Sequence, residues 1–226
     1  MGERREKIIG IRKRVGDLTK QSSLNYPQVP AFYDIDMSRI LDLKDRLEAD
    51  GTKIAMSAMI GKLVSTALKD YPRLNSRVED NEIVYYDEIN CGFAIDVGQG
   101  LMIVVVKDMA NKSIVEISDE FKALVKRCQN RQLTREDISG GTFTLTSFSS
   151  STMRAFISIL SNDECITVGT GGIYKRPTVD ENDQIVVRPM CTFTSNMNHI
   201  IADGLENSNF VAHIQEIAKN PDAYLL

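Results

Sequence analysis

The sequence predicts a mixed α/β fold of the α+β type, in which helices pack on a mixed, largely antiparallel sheet. Segments with the two-residue alternation of strands and segments with the 3.6-residue period of helices follow one another without strict alternation, which argues against a βαβ repeat. The chain has 226 residues, a length that suits one large domain or two small ones. Because no linker, repeat or low-complexity segment divides it, we expect one domain over residues 1–226.

The N-terminal part is predicted to run helix, loop, strand, helix. Apolar residues at helical spacing predict a helix over residues 8–20. Two prolines between residues 22 and 30 predict a loop, and the alternation of residues 31–37 predicts a strand. Ser38 is a typical N-cap, so a second helix should begin there and end at Asp50-Gly51.

The middle of the chain carries the clearest helix and several strands. Apolar residues recur at i, i+3, i+4 and i+7 from Met56 to Leu68, and Pro72 ends the pattern. Ser113 and Glu116 form a capping box that should open the next helix. Strand patterns, with a turn at residues 98–100, occur over residues 83–86, 91–97, 101–106 and 142–146.

The C-terminal part has less regular patterns. A short helix is suggested by four apolar residues, Met153, Phe156, Ile157 and Leu160. Strands are predicted over residues 165–168 and 184–187, around a connection rich in glycine and proline in which residues 169–172 should form a turn rather than a phosphate-binding loop. A long strand then runs to Asn198, and a last helix ends before Pro221.

Composition excludes several classes of function. The chain is 42% hydrophobic and 26% charged, with a net charge of -4, and it lacks the basic balance that general nucleic-acid binding needs. It shows no secretory signal and no apolar run long enough to span a bilayer, so we expect a cytoplasmic protein without membrane contact. Its four cysteines have no C-x-x-C spacing, which indicates reduced thiols rather than a disulfide or metal framework.

Acid–base chemistry near neutral pH points to histidine, and the sequence has two. His213 occupies a helix-like position and is interpreted as a surface or packing residue. His199 follows a strand-like run and is itself followed by Asp203 and Gly204. Taken alone, a histidine after a strand is more often structural than catalytic, and Asp203-Gly204 would be an ordinary turn.

Five blocks of sequence give His199 a context. They comprise residues 71–75, residues 100–106, Gly140-Gly-Thr-Phe-Thr-Leu-Thr146-Ser147, residues 185–190 and His199-x-x-x-Asp203-Gly204. In that order and at those distances, they resemble the catalytic domain of dihydrolipoamide acyltransferases, the core subunits of 2-oxoacid dehydrogenase complexes. The resemblance covers residues 8–226. A more distant similarity to chloramphenicol acetyltransferase implies the two-layer sandwich fold of that superfamily.

The resemblance implies a role for three residues. His199 would be the general base that takes a proton from a thiol acceptor, and the hydroxyl of Thr146, at the family's serine position, would donate to the oxyanion. Asp203 would order the active-site loop through charge pairing. The substrates implied are coenzyme A or acyl-coenzyme A and a dihydrolipoyl group, with no metal. The resemblance identifies no residue that binds the nucleotide of coenzyme A.

Three departures from the family pattern suggest a divergent substrate or a decayed site. Asn198-His199-Ile200 stands where dehydrogenase members have Asp-His-Arg. Leu18 fills the position of a second arginine in the first helix, and residues 161–164 replace an Asn-Pro-Pro segment. Two alternative functions therefore stay open, namely a small-molecule O- or N-acetyltransferase of the chloramphenicol type and a non-catalytic scaffold with a degenerate site.

Partners are also implied by the resemblance. The family's sites lie between the subunits of a trimer, so we expect a homotrimer in which His199 faces a neighbouring chain. The tail at residues 220–226 resembles the segment that joins such trimers into larger cores. The family's lipoyl and subunit-binding modules and a lipoylation sequence are not found in these residues, so we expect the lipoyl group on a separate carrier protein or the chain to act as a standalone catalytic piece.

Overall fold

A computed structural model describes residues 2–49, 51–98, 100–161 and 163–226. Its helices are α1 Gly10–Asn25, α2 Ser38–Leu47, α3 Met56–Leu68, α4 Ile114–Gln129, α5 Gly204–Lys219 and α6 Pro221–Leu225. Its strands are β1 Gln28–Asp36, β2 Ser76–Glu79, β3 Glu82–Tyr85, β4 Cys91–Asp96, β5 Leu101–Val106, β6 Phe143–Ser147, β7 Ile166–Val179 and β8 Ile185–Asn198. Short 3-10 turns occupy Pro72–Leu74 and Glu136–Ile138.

The described strands form a six-stranded sheet in the order β1-β8-β7-β6-β4-β5, with β2 and β3 as a separate hairpin. The pairs β1/β8, β8/β7 and β4/β5 are antiparallel, whereas β7/β6 and β6/β4 are parallel. The predicted mixed, largely antiparallel sheet is therefore confirmed. The parallel pairs arise because the connections between β4, β6 and β7 cross over and return the chain in the same direction.

One face of the sheet carries the core. Along β8, apolar residues such as Phe193 and Met197 alternate with polar ones and are fully buried, because successive side chains of a strand point to opposite faces. They pack with the apolar faces of the helices, of which α3 is the most deeply buried. Ser113 and Glu116 make the predicted capping box at the start of α4. The structure is thus a helix layer on a sheet, as predicted.

The second face of the sheet is polar and is covered by an extended segment, residues 153–160, which we call the strap. Thr194 donates its hydroxyl to the carbonyl of Phe156 at 2.8 Å, and the amide of Asn196 donates to the carbonyl of Ser158 at 2.7 Å. The expected helix at Met153–Leu160 is wrong, since these residues have no helical turn. Tertiary hydrogen bonds from β8 hold the strap extended.

Glycines in β7 allow the strap to lie close to the sheet. A Cβ added to Gly171 would lie 2.0 Å from the carbonyl oxygen of Arg154, and one added to Gly172 would lie 2.0 Å from that of Ser151. The predicted turn at residues 169–172 is wrong, because these glycines lie inside the 14-residue strand β7. The sequence analysis expected short strands at residues 165–168 and 184–187 with a loop between them. Most of that loop is instead part of β7, and β7 and β8 form one long hairpin.

Element boundaries near the N-terminus also differ from expectation. Helix α1 continues to Asn25 and β1 begins at Gln28, so the loop expected over residues 22–30 shrinks to two residues. Ser38 is the first residue of α2 rather than its N-cap, and it donates its backbone N–H to the carboxylate of Asp36. Two predicted features fall on residues that are not described: the end of the second helix at Asp50 and the centre of the turn at Gln99. In the part of the chain that is described, no helix combines the length and apolar character needed to cross a membrane.

Candidate functional site

His199 is presented on a tight turn between β8 and α5. Strand β8 ends at Asn198, and the backbone N–H of His199 donates to the carbonyl of Pro27 at 2.9 Å. The side chain of His199 is exposed, and the described part of the chain provides no hydrogen-bond partner for its ring. An exposed imidazole on a fixed backbone is available to exchange a proton with a bound molecule.

The turn around His199 is held by hydrogen bonds on both sides. The side-chain oxygen of Asn198 accepts from the N–H of Ile200 at 3.0 Å, and its backbone oxygen accepts from Ile201 and Ala202. Ile201 and Ala202 are both buried and anchor the turn to the core. Asn198 therefore stabilises the turn through its side-chain oxygen. The aspartate that the family has at this position would offer such an oxygen as well.

Arg73 supports the same turn from outside. Its Nη1 donates to the carbonyl of Ile201 at 3.1 Å, and its Nε lies 3.9 Å from the carboxylate of Glu206. Burial raises the pKa of Glu206, and the guanidinium of Arg73 opposes that shift. Because Arg73 reaches His199 only through the backbone of the turn, it is a positioning residue.

Replacing Arg73 by methionine should lower kcat of a reaction in which His199 is the base by about 5- to 20-fold, since a misplaced base loses rate steeply with distance. The KM values should change little, because the described contacts of the Arg73 side chain are with Ile201 and Glu206 and serve the turn. The matched control is Arg77→Met, whose guanidinium pairs instead with Glu79 and lies over the ring of Tyr86. Equal kcat values in the two variants would show that Arg73 does not position the turn.

Asp203 is the N-cap of α5. Its carboxylate accepts from the backbone N–H groups of Leu205 at 2.9 Å and Glu206 at 3.1 Å. Gly204 is the first residue of that helix. Among the described residues Asp203 has no ion pair, and within one chain it orders the loop by helix capping. The expected charge pairing stays a prediction.

Thr146 lies in β6, far from His199 in the same chain. It pairs with Gly169 of β7, which pairs with Thr194 of β8, four residues before the strand ends at Asn198. With about 3.3 Å per residue along a strand and about 4.8 Å between strands, the Cα atoms of Thr146 and Asn198 are roughly 16 Å apart. One chain therefore does not bring the predicted base and the predicted oxyanion donor together.

The hydroxyl of Thr146 is free to act on another molecule. Thr146 is half-buried on the polar face of the sheet, and no described residue forms a hydrogen bond with its side chain. Its neighbour Ser147 differs, since its hydroxyl accepts from that of Thr170 at 2.9 Å. Of the two adjacent hydroxyls, Thr146 is thus the one without a described hydrogen-bond partner.

Sequence reasoning missed Glu164, which is only 5% exposed. Its carboxylate accepts from the hydroxyl of Thr144 at 2.8 Å and from the N–H of Ser161 at 2.6 Å. Burial without a cationic partner raises its pKa to about 8. The residue lies in a polar run, where no local pattern indicates that its side chain turns inward.

Glu164 should make stability fall as pH rises. Its carboxyl has its usual value near 4.5 in the unfolded chain and a pKa of about 8 in the folded one, so between these values the folded chain holds a proton that the unfolded chain has lost. The contribution of Glu164 to the free energy of unfolding therefore decreases between about pH 4.5 and about pH 8. Glu164→Gln should remove this slope and raise stability at pH 9 by on the order of a few kcal/mol.

Urea unfolding at pH 6 and pH 9 checks this expectation. Glu82→Gln, in an exposed position of β3, is the matched control and should keep the wild-type slope. A Glu164→Gln variant with the wild-type difference in stability between the two pH values would contradict the assignment.

The structure also shows a cavity between the C-terminal half of α1 and the segment that precedes β7. We call it the Tyr26 cavity; it measures about 130 Å³ and is lined by Leu18, Gln21, Ser22, Tyr26 and Asp163. The phenol of Tyr26 donates to the carboxylate of Asp163 at 2.6 Å. Two of the sequence departures noted above, Leu18 and the replacement that includes Asp163, thus line one cavity. Sequence reasoning missed it because its lining comes from two distant segments.

His213 is confirmed as a packing residue. Its Nε2 lies 3.1 Å from Asp70, its Nδ1 lies 3.4 Å from Glu216, and its ring contacts those of Tyr71 and Tyr224.

The four cysteines are free and buried. Burial raises the pKa values of Cys165 and Cys191 to about 12, so their thiols are poor nucleophiles. The described residues contain no group of three side chains suited to a metal ion.

Comparison with known proteins gives one family. The model of the 2-oxoacid dehydrogenases acyltransferase catalytic domain matches residues 1–226. The dihydrolipoyllysine-residue acetyltransferase component of the pyruvate dehydrogenase complex of Staphylococcus epidermidis is 31% identical over 99% of this chain and 53% of its own length. The succinyltransferase component of the 2-oxoglutarate dehydrogenase complex of Staphylococcus saprophyticus is 28% identical over 98% and 54%. The chain spans about half the length of these curated relatives.

Solved structures agree on the fold. A probable dihydrolipoamide acetyltransferase from Listeria monocytogenes superposes with a TM-score of 0.90 at 28% identity, over 97% of this chain and 95% of that one. A chloramphenicol acetyltransferase superposes with a TM-score of 0.56 at 13% identity, over 94% and 99%. The predicted two-layer sandwich of that superfamily is thereby confirmed.

Proposed function

Because this chain belongs to the family of 2-oxoacid dehydrogenase acyltransferases, we propose that it transfers an acyl group between coenzyme A and the thiol of a dihydrolipoyl group. The observation that carries the proposal is the exposed, unpartnered imidazole of His199 on a turn fixed by Pro27 and Asn198. The curated relatives supply the substrate class, since they are named dihydrolipoyllysine-residue acyltransferases. Those names differ in the acyl group, acetyl or succinyl.

His199 acts as the general base. Its imidazole takes the proton of the acceptor thiol, and the resulting thiolate attacks the thioester carbonyl of the acyl-coenzyme A. The tetrahedral intermediate collapses by breaking the bond between the acyl carbon and the sulfur of coenzyme A. The imidazolium of His199 then returns the proton to that departing thiolate, so the base is regenerated.

The oxyanion of the intermediate accepts a hydrogen bond from the hydroxyl of Thr146. This hydroxyl has no described partner in its own chain, and the strand register places it roughly 16 Å from Asn198. We therefore propose that His199 of one subunit meets Thr146 of a neighbouring subunit in a homotrimer. Asp203 and Arg73 fix the turn that carries His199, and neither needs to touch the substrate.

The proposed partners extend beyond the trimer. Residues 1–226 act as one catalytic domain, and the lipoyl group is presented to it from outside these residues. Residues 220–226 bury Pro221 and Leu225 against their own chain and leave Leu226 75% exposed, so contact between trimers through this tail would rest on Leu226. Larger assembly is supported by the relatives, which are components of multienzyme complexes.

Mixed trimers test the shared site. Subunits carrying His199→Ala and subunits carrying Thr146→Ala are each expected to be nearly inactive when assembled alone. Unfolded together in equal amounts and refolded, they should regain up to about one quarter of wild-type turnover, because one interface in four combines an intact His199 with an intact Thr146. Turnover is measured as thiol release from acetyl-coenzyme A with dihydrolipoamide.

The outcomes separate the parts of the proposal. Wild-type turnover without recovery in mixed trimers would place both groups in one subunit and reject the shared site. Wild-type transfer to small alcohols or amines but not to dihydrolipoamide would reject the thiol acceptor. No transfer from any acyl-coenzyme A would reject the enzyme itself.

A further inference from the structure

We infer that Glu164 is a positioning residue for the hydroxyl of Thr146, because it fastens the end of the strap to β6 beside that hydroxyl. The inference rests on the proposed function, in which Thr146 donates to the oxyanion. Glu164 touches no substrate in this scheme. It acts through two hydrogen bonds that join the strap to the strand on which Thr146 lies.

The side chain of Glu164 joins two segments that are distant in sequence. Its Oε1 accepts from the backbone N–H of Ser161, the residue directly after the strap, at 2.6 Å. Its Oε2 shares a hydrogen bond with the hydroxyl of Thr144 in β6 at 2.8 Å. Glu164 and Thr144 are each only 5% exposed, so water competes little for these bonds. One carboxyl group therefore holds the end of the strap to β6.

The anchor point on β6 lies next to Thr146. Thr144 and Thr146 lie on the same face of the strand, with Cα atoms about 6.6 Å apart, because side chains alternate and a strand rises about 3.3 Å per residue. The strap also borders this position. A Cβ added to Gly169, the β7 residue paired with Thr146, would lie 3.0 Å from the ring of Phe156. A strap released from β6 would therefore move Phe156 at the position beside Thr146.

Among the described residues, no cation pairs with the carboxyl of Glu164. Arg77, whose backbone forms a β-bridge with Glu164, directs its guanidinium to Glu79 instead. The titratable groups that interact with the carboxyl are the thiols of Cys91 in β4 and of Cys165 just before β7. Burial raises the pKa of both thiols, so they stay neutral and supply no compensating charge.

The proton on Glu164 decides whether the two hydrogen bonds persist. With a pKa of about 8, the carboxyl is mostly neutral at pH 7 and offers one oxygen that accepts and one O–H that donates. Above pH 8 it becomes a buried charge without a counter-ion, which favours exposure of the group to water. We therefore expect the end of the strap to detach and the positioning of Thr146 to be lost at alkaline pH.

Two substitutions in the thiol-release assay separate positioning from general damage. Glu164→Leu removes both hydrogen bonds at similar volume and should lower kcat about tenfold with little change in KM, because a displaced donor stabilises the oxyanion less well. Glu164→Gln keeps an oxygen for Ser161 and an N–H for Thr144, so it should retain wild-type kcat at pH 7. In a Thr146→Ala background, Glu164→Leu should cost less than about twofold more, since both changes act through one hydroxyl.

The pH profile gives a second readout. The ratio of kcat in Glu164→Gln to kcat in wild type should stay near one below pH 7 and rise severalfold between pH 8 and pH 9.5, because titration of the substrates and of His199 affects both proteins alike. Hydrogen exchange, corrected for the intrinsic effect of pH, should show faster exchange of residues 153–161 at pH 9 in wild type only. Glu82→Gln, in an exposed position of β3, should behave like wild type in both measurements.

The outcomes decide the inference apart from the proposed function. Wild-type kcat in Glu164→Leu, a full tenfold loss in the Thr146→Ala background, or strap exchange that responds neither to pH nor to Glu164→Leu would overturn it. If Glu164→Leu does not fold, Thr144→Val removes one of the two bonds and should lower kcat about threefold, and wild-type kcat in that variant would overturn the inference equally. Active wild type with unaffected variants rejects the positioning role alone, whereas wild type that transfers no acyl group rejects the proposed function and this role with it.

Discussion

The His199→Ala variant should transfer acetyl groups from acetyl-coenzyme A to dihydrolipoamide at least about 10³-fold more slowly than wild type. General acid–base catalysis typically contributes factors of about 10² to 10⁴, and alanine removes the group that takes the proton and the group that returns it. Thiol release followed spectrophotometrically measures the loss. Because the side chain is exposed and has no described hydrogen bond, the thermal midpoint should stay within about 2 °C.

His213→Gln provides the control for removing an imidazole. That ring packs between Tyr71 and Tyr224 and pairs with Asp70, so its loss should lower the thermal midpoint while kcat remains near that of wild type. Undiminished turnover in His199→Ala would remove His199 from the mechanism. A comparable loss of kcat in both variants would show that structural damage rather than proton transfer is measured.

The Gly171→Ala variant should lose about 3 kcal/mol or more of folding free energy, because overpacking against rigid backbone cannot be relieved by a rotamer change. The added Cβ would lie 2.0 Å from the carbonyl oxygen of Arg154 and 2.8 Å from that of Met153. The strap would have to lift from β7 and lose its hydrogen bonds to Thr194 and Asn196. Urea unfolding measures the loss.

Gly16→Ala is the same chemical change with the opposite expected sign. Gly16 lies inside α1, and an added Cβ meets nothing within 4 Å, so alanine should stabilise the helix by about 0.5–1 kcal/mol. If Gly171→Ala were as stable as wild type, the strap would not lie against β7 as described. A loss in Gly16→Ala would indicate that α1 is packed by something beyond its own chain.

Local signals allowed much of the fold to be predicted. The capping box of Ser113 and Glu116 and the apolar stripe of α3 act within one or two helical turns, so sequence spacing alone reveals them. The strap could not be predicted in this way. Phe156 and Leu160 are spaced as on a helix face, but hydrogen bonds from Thr194 and Asn196, far along the chain, hold the segment extended.

Glycine gave a misleading signal for a related reason. Residues 169–172 satisfy the composition of a turn, whereas in the structure Gly171 and Gly172 lack side chains so that the strap can pass. A glycine that forms a turn and a glycine that leaves room for a neighbouring segment look the same in the local sequence. They differ only in the residues that pack against them. The buried position of Glu164 and the lining of the Tyr26 cavity depend in the same way on residues distant in sequence.

The candidate site was predicted at the level of residues but not of geometry. His199 stood out because histidines are rare in this chain and the blocks around it form a pattern. The distance to Thr146 is set by the order and register of β6, β7 and β8, which no local motif encodes. Asp203 shows the opposite case, since its capping of α5 is a local feature that the sequence analysis did not identify.

The separation of His199 from Thr146 also bears on how activity should depend on protein concentration. In the proposed trimer each chain offers a proton acceptor at one end of its sheet and a hydroxyl donor towards the other, so the contact that would join them is heterologous, head to tail. An open pair would complete one site and leave two unmatched halves, whereas a closed ring uses every half. With sites shared in this way, a dissociated chain is inert, and dilution below the assembly constant should reduce specific activity without any unfolding.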